Sequence, residues 1–169
     1  LSDSVDALGG AYDRENVLRI LKDSRIGAFG ALALILALLL KVSLLIDLGV
    51  WAPIGLLLGQ SISRSVPVVQ LGFQSYARRN DEQSKSRDVA RSGRVQAVIA
   101  GLWGLLFLGI GLYFCISIHE AIAILVAILL ISVSFGWYVQ RRVGGLTGDF
   151  MGTLQQLSEL GILFALVSV

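Results

Sequence analysis

Asp3 and Asp6 stand three residues apart near the start of the chain, a spacing that sets both carboxylates on one face of a helix. Two unpaired carboxylates so close repel each other, and the pair makes sense around a hard divalent cation; the alternative is the solvated acidic end of a loop. A second acidic pair, Asp149 and Glu159, follows the run Gly144-Gly145-Leu146-Thr147-Gly148. On a helix, Asp149, Gly152, Gln156 and Glu159 share one stripe, so the two carboxylates face the same way with Gly152 leaving room between them. The glycines let backbone N–H groups approach an anion closely, which makes Gly145 and Gly148 candidate phosphate contacts. The alternative is a flexible turn with Asp149 as a helix cap. Against it stands Glu159, which lies inside an apolar segment and needs a partner.

Cations complete the set. Lys22 and Arg25 flank Asp23-Ser24 and could bind phosphate, or reflect the basic bias of a helix C-terminus next to a membrane. Arg64 lies in an apolar stretch with Gln60, Ser61, Ser63 and Gln70, and Pro67 can kink the helix there. An intramembrane arginine faces a bundle interior or polar cavity by default. Lys41 sits nearer the end of its segment, where its stem can carry the ammonium outward. The single Cys115 excludes a disulfide framework and a cysteine-rich metal site, and His119 reads as an interfacial loop residue. No HExxH, Walker A, Gly-x-Ser-x-Gly or GxGxxG pattern is present, which argues against the common hydrolase and nucleotide-binding signatures.

The elements that must hold these residues are membrane helices. Apolar residues make up 55% of the chain and charged ones 15%, with a mean hydropathy of +0.76. A soluble domain of this size could not hide that much apolar surface. Five apolar stretches fit the bilayer core, at residues 26–46, 50–73, 95–116, 118–139 and 150–169. They are continuously apolar, as helices require, and do not alternate as barrel strands do. The expected fold is all-α: a polytopic bundle of about five spans forming a single membrane domain over residues 1–169. A short amphipathic helix capped by Asp13, with Val17, Leu18, Ile20 and Leu21 as its apolar side, precedes the first span. Gly27 and Gly30 allow close helix approach where that span starts.

Arg14, Arg19, Lys22 and Arg25 precede the first span, Arg78, Arg79, Lys85, Arg87, Arg91 and Arg94 fill the link between the second and third, and Arg141 and Arg142 follow the fourth. Five crossings bring these segments to one face, which the positive-inside rule makes cytoplasmic. The net charge of +2 therefore reflects topology, and no nucleic-acid partner is expected; the lipid bilayer is.

The segments Asp3-Ser4-Val5-Asp6-Ala7-Leu8-Gly9-Gly10, Asp13-Arg14, Lys22-Asp23-Ser24-Arg25-Ile26-Gly27 with Gly30, Lys41, Ser63-Arg64, Tyr76-Ala77-Arg78 and Gly144-Gly145-Leu146-Thr147-Gly148-Asp149 with Gly152 and Glu159 resemble the cobalamin synthase, or adenosylcobinamide-GDP ribazoletransferase, family. The likeness runs through essentially the whole chain. It implies a magnesium-dependent enzyme of the bacterial inner membrane that joins adenosylcobinamide-GDP to α-ribazole or its 5′-phosphate and releases GMP. It further implies Asp3, Asp6 and Asp149 as Mg²⁺ ligands, Asp149 and Glu159 as catalytic carboxylates, and Lys22, Arg25, Arg64, Gly145 and Gly148 as phosphate contacts. An acidic His-x-Asp-Gly segment and further spans are expected before Leu1, so the catalytic domain is expected to be incomplete at that end and short of one metal-ligating aspartate. Ala7 and Gln156 depart from the Gly and Glu common in the family. Self-association into a homo-oligomer is compatible with the sequence, which fixes no oligomeric state. A CDP-alcohol type phosphotransferase and a transporter are the competing readings. The first lacks its longer D-x-x-D-G-x-x-A-R run here, and the second lacks internal repeats and paired broken helices.

Overall fold

The computed structural model describes residues 1–11, 13–23, 25–74 and 93–169. Ser24, the Tyr76-Ala77-Arg78 segment and most of the polar loop 74–93 lie outside the described residues. Two short helices, α1 (Ser2–Gly10) and α2 (Arg14–Ile20), lead into α3 (Ala28–Leu48). After a 3-10 turn at Gly49–Trp51 come α4 (Ala52–Ser63) and α5 (Ser65–Phe73), then α6 (Arg94–Phe114), α7 (Ile118–Val143) and α8 (Gly148–Ser168).

Among the described residues, four helical stretches are long and apolar enough to cross a membrane, the first running from Ala28 to Phe73. That stretch folds back on itself. Lys41 and Gln60 both bind the same oxygen, Oε1 of Glu159, whereas nineteen residues of straight helix would hold them about 28 Å apart. The reversal occurs at Gly49, whose φ of 54° is one that L side chains rarely adopt. The stretch therefore supplies two crossings, giving five in all, with ends within about two residues of the expected ones except at the longer α7. The α4–α5 arm breaks at Arg64. Pro67 explains the position, because it has no N–H for the carbonyl four residues earlier, that of Ser63.

The spans pack around α8. In its apolar window 50% of residues are buried, against 11–22% in the other three stretches, and it touches α7, α4, α3, α5 and α1. It is also the least apolar of the four. Lipid cannot satisfy polar side chains, so the helix that carries Thr153, Ser158 and Glu159 takes the centre while α3, α6 and α7 present leucine and isoleucine outward.

Local signals set the ends. Asp13 caps α2 by accepting from Asn16 N at 3.2 Å. Ser117 and Glu120 form a reciprocal capping box at the start of α7, at 3.2 and 2.6 Å, so His119 lies in the first turn of that helix. The apolar side of α2, Val17 and Leu21, packs with Ala7, Val139, Val143, Leu146 and Phe150 under the basic end of the bundle. Arginines seal this joint. Arg14 Nε donates to the Val143 carbonyl at 2.8 Å, and Arg142 Nη2 donates to those of Leu8 and Ala11 at 3.2 and 2.7 Å. Two residues that satisfy the topological charge bias thus also clamp the N-terminal helices to α7.

Candidate functional site

The basic end of the bundle gathers α1, the start of α3 and the turn into α8. Asp6 projects from α1 onto the N-terminus of α3, where Gly27 N and Gly30 N each donate to one of its carboxylate oxygens at 2.8 Å. The N-cap residue of α3 is Gly27 and has no side chain to cap with. A carboxylate from another helix therefore takes over unpaired N–H groups at the positive end of the dipole. A Cβ at Gly27 or Gly30 would run into the Asp6 carboxyl. The close approach expected of these glycines is to Asp6 itself, whose carboxylate serves as a helix cap.

Asp3 is half-buried and accepts from Ser2 Oγ at 3.1 Å. Between them on α1, Ser4 is fully buried, and its hydroxyl meets Thr153 Oγ1 of α8 at 2.7 Å. That contact seats α1 against the first turns of α8, where Asp149 lies one turn before Thr153. Asp149 is half-buried, and its carboxylate makes no hydrogen bond among the described residues.

The glycine run is a tight connection between helices. Gly144 closes α7 in the left-handed region at φ 83°, and Gly145 is buried at φ 156°. Leu146 is fully buried, and Thr147 caps α8 through a 3.4 Å bond from Phe150 N. Thr147, and not Asp149, is the capping residue. Gly148 and Asp149 open the helix, and the helix dipole favours the aspartate charge there.

Along the stripe below Asp149, Gly152 faces open space and Gln156 is half-buried. Glu159 is 1% exposed and pairs with Lys41 of α3, while Gln60 Nε2 of α4 donates to the same Oε1 at 2.7 Å. Among the described residues, Glu159 Oε2 is buried without a partner, as are Ser63 Oγ and Ser158 Oγ. Ten helical residues put Glu159 about 15 Å below Asp149. Lys41 turns inward to Glu159, the alternative to carrying its ammonium outward along its stem. The signal that finds this pair is the presence of opposite intramembrane charges on separate spans, each needing a partner.

The remaining cations lie outside. Arg25 donates to both Asp23 carboxylate oxygens at 2.7–3.1 Å. Those hydrogen bonds hold Asp23 down at about 2 and raise Arg25 further. Lys22 is exposed just past α2. Arg64 is exposed at the break between α4 and α5, beside Gln96, Ile99 and Trp103 of α6. It joins no inward network among the described residues, because the break points it away from α8. No three His, Cys, Asp or Glu among the described residues converge on one point. Asp3 and Asp149 nevertheless supply hard oxygens at one end, and Mg²⁺ is ordinarily held by one or two carboxylates plus water and substrate phosphates. That donor chemistry fits.

The model of the family described as cobalamin-5-phosphate synthase matches residues 1–167. The chain belongs to this family. Among curated cobalamin-5-phosphate synthase relatives, an adenosylcobinamide-GDP ribazoletransferase of Shewanella piezotolerans is 36% identical over 164 residues, covering 95% of this chain and 61% of the relative. One of the same name from Ralstonia nicotianae is 40% identical over 175 residues, covering 99% and 64%. The chain thus spans less than two thirds of the length of these relatives. No solved structure matches.

Proposed function

We propose that this chain takes part in joining adenosylcobinamide-GDP to α-ribazole, or its 5′-phosphate, with release of GMP. The observation that carries the reading is the family match over residues 1–167, and the basic end of the bundle offers groups suited to the step. The ribazole hydroxyl oxygen attacks the phosphorus that bears the cobinamide. A new P–O bond forms as the bond to the GMP oxygen breaks, so GMP leaves with the bridging oxygen and its negative charge. The hydroxyl proton passes to a carboxylate, and Asp149 is the group we assign. It is half-buried, it makes no hydrogen bond among the described residues, and it lies at the end where phosphates would meet Lys22 and Arg25. Glu159, paired with Lys41 deep in the bundle, is assigned to holding α3 and α8 in place. Mg²⁺, held by Asp3 and Asp149 with ligands from substrate and water, would neutralise the charge on the departing phosphate. The basic end faces the cytoplasm of a bacterial inner membrane, by the positive-inside rule.

The test is GMP release from adenosylcobinamide-GDP in membranes bearing the protein. Asp149→Asn is expected to lower turnover at least about 100-fold while leaving membrane insertion intact. Near-normal GMP release would remove Asp149 from the site. No GMP release from the unsubstituted protein in its full-length context, with CMP released from a CDP-activated alcohol instead, would replace the substrate class.

A further inference from the structure

Helices α6 and α7 follow one another in the chain, joined by a short link at Cys115–Ser117, yet they barely touch. Each leans on a different neighbour, α6 on α4 and α5, α7 on α8. The space between them is a cleft of about 790 Å³ floored by α5. Its walls include Leu105, Leu129 and Val133, at 57%, 62% and 60% exposure, so it opens sideways, out of the bundle of described helices.

The cleft is ordered along the membrane normal. Its deep part is aliphatic, while Gln70, Gln74, Gln140 and Arg141 all cluster at the basic end. From Ile124 to Arg141 along α7 is about 25 Å, somewhat more than the roughly 20–22 Å of one bilayer leaflet with its headgroup layer. At the polar end, Gly136 leaves space into which Gln70 and Gln74 fold, since a Cβ there would overlap both amides. Gln70 donates weakly to the Ser132 carbonyl at 3.3 Å, and Gln74 Oε1 is buried without a donor among the described residues. Arg141 lies over the Trp137 ring, 4.1 Å from its centroid, an arrangement suited to the headgroup level.

We infer that this cleft is a binding site for an anionic phospholipid of the leaflet at the basic end. An acyl chain fills the aliphatic part and the phosphate meets Arg141. Phosphatidylglycerol has both features and a net negative charge. Phosphatidylcholine has the chains and the phosphate, but its cationic headgroup opposes Arg141.

Native mass spectrometry of the purified full chain, titrated separately with dioleoyl phosphatidylglycerol and dioleoyl phosphatidylcholine, tests this without reference to enzymatic activity. Roughly fivefold more phosphatidylglycerol than phosphatidylcholine should remain bound, the scale of one arginine near a charged lipid surface. Arg141→Gln, an exposed substitution, should abolish the preference, and Leu129→Trp should cut binding of both lipids by filling the cleft. Equal retention of the two lipids by the unsubstituted chain overturns the site. So does a preference that survives Arg141→Gln, or undiminished binding to Leu129→Trp.

Discussion

Lys41 of α3 and Glu159 of α8, 118 residues apart in the chain, form an ion pair inside the bundle. Glu159 is almost completely buried while Lys41 keeps about a quarter of its side chain exposed. Loss of one partner is therefore asymmetric. Lys41→Met leaves an anion at depth with only Gln60, whereas Glu159→Gln leaves a cation that can reach outward. Lys41→Met should cost about 3 kcal/mol and Glu159→Gln distinctly less. The double variant should recover most of the loss, because replacing both members removes the unpaired charge. Equilibrium unfolding in mixed micelles of the two single variants and the double checks this, and additive losses would show that the pair is not coupled.

Asp6 gives a prediction of a different kind. Its two bonds to Gly27 N and Gly30 N make it a cap, so Asp6→Asn should destabilise the chain by about 1 kcal/mol, the usual worth of a lost N-cap. Gly30→Ala should be worse, because its methyl would meet the Asp6 carboxyl and the Ser2 carbonyl. If Asp6 acts only as a cap, the magnesium concentration at half-maximal turnover will not move in Asp6→Asn. A large shift would make it a metal ligand instead.

The spans, their order and the Asp13 cap were legible in the sequence because each rests on local composition or on a pattern a few residues long. Partnerships across the bundle were less so. Glu159 showed its need for a partner, but nothing local selects Lys41, since the hairpin at Gly49 decides which spans face each other. Snorkelling, considered for Lys41 alone, ignores an anion on another helix. Arg64 fails in the opposite sense: a mid-span arginine reads as inward-facing until the break imposed by Pro67 turns it out. The glycine run read as a phosphate cradle carries two positive-φ residues and a buried leucine, and a tight helix connection needs those same glycines.

The Asp23–Arg25 pair fixes a pH response. Asp23 is held at about 2, below its ordinary 3.8, by hydrogen bonds from Arg25. A lowered carboxylate stabilises the folded loop fully above the ordinary value, and that contribution fades as pH falls through about 2. Carboxyl carbon shifts of labelled aspartate should therefore show one residue titrating near 2. In Arg25→Gln that midpoint should rise towards 3.8. A midpoint unchanged by Arg25→Gln would remove the arginine as the cause.

The last prediction uses the single native cysteine. Helix α6 runs from its N-cap Gly93 at the basic end to its C-cap Cys115 at the other, and both ends are exposed. Twenty-one residues rise about 31 Å, the thickness of the hydrocarbon core, so the two caps should lie on opposite sides of the bilayer. If the basic end is cytoplasmic, a membrane-impermeant maleimide added to intact spheroplasts should label Cys115. A Cys115→Ser, Gly93→Cys variant should stay unlabelled until the membrane is permeabilised. The opposite pattern would invert the topology while leaving the fold intact, because nothing in the helix packing depends on which side carries the cytoplasm. Labelling of both positions from outside would be more serious. It would mean that α6 does not cross, and neither the cleft it forms with α7 nor the five-span bundle would survive that result.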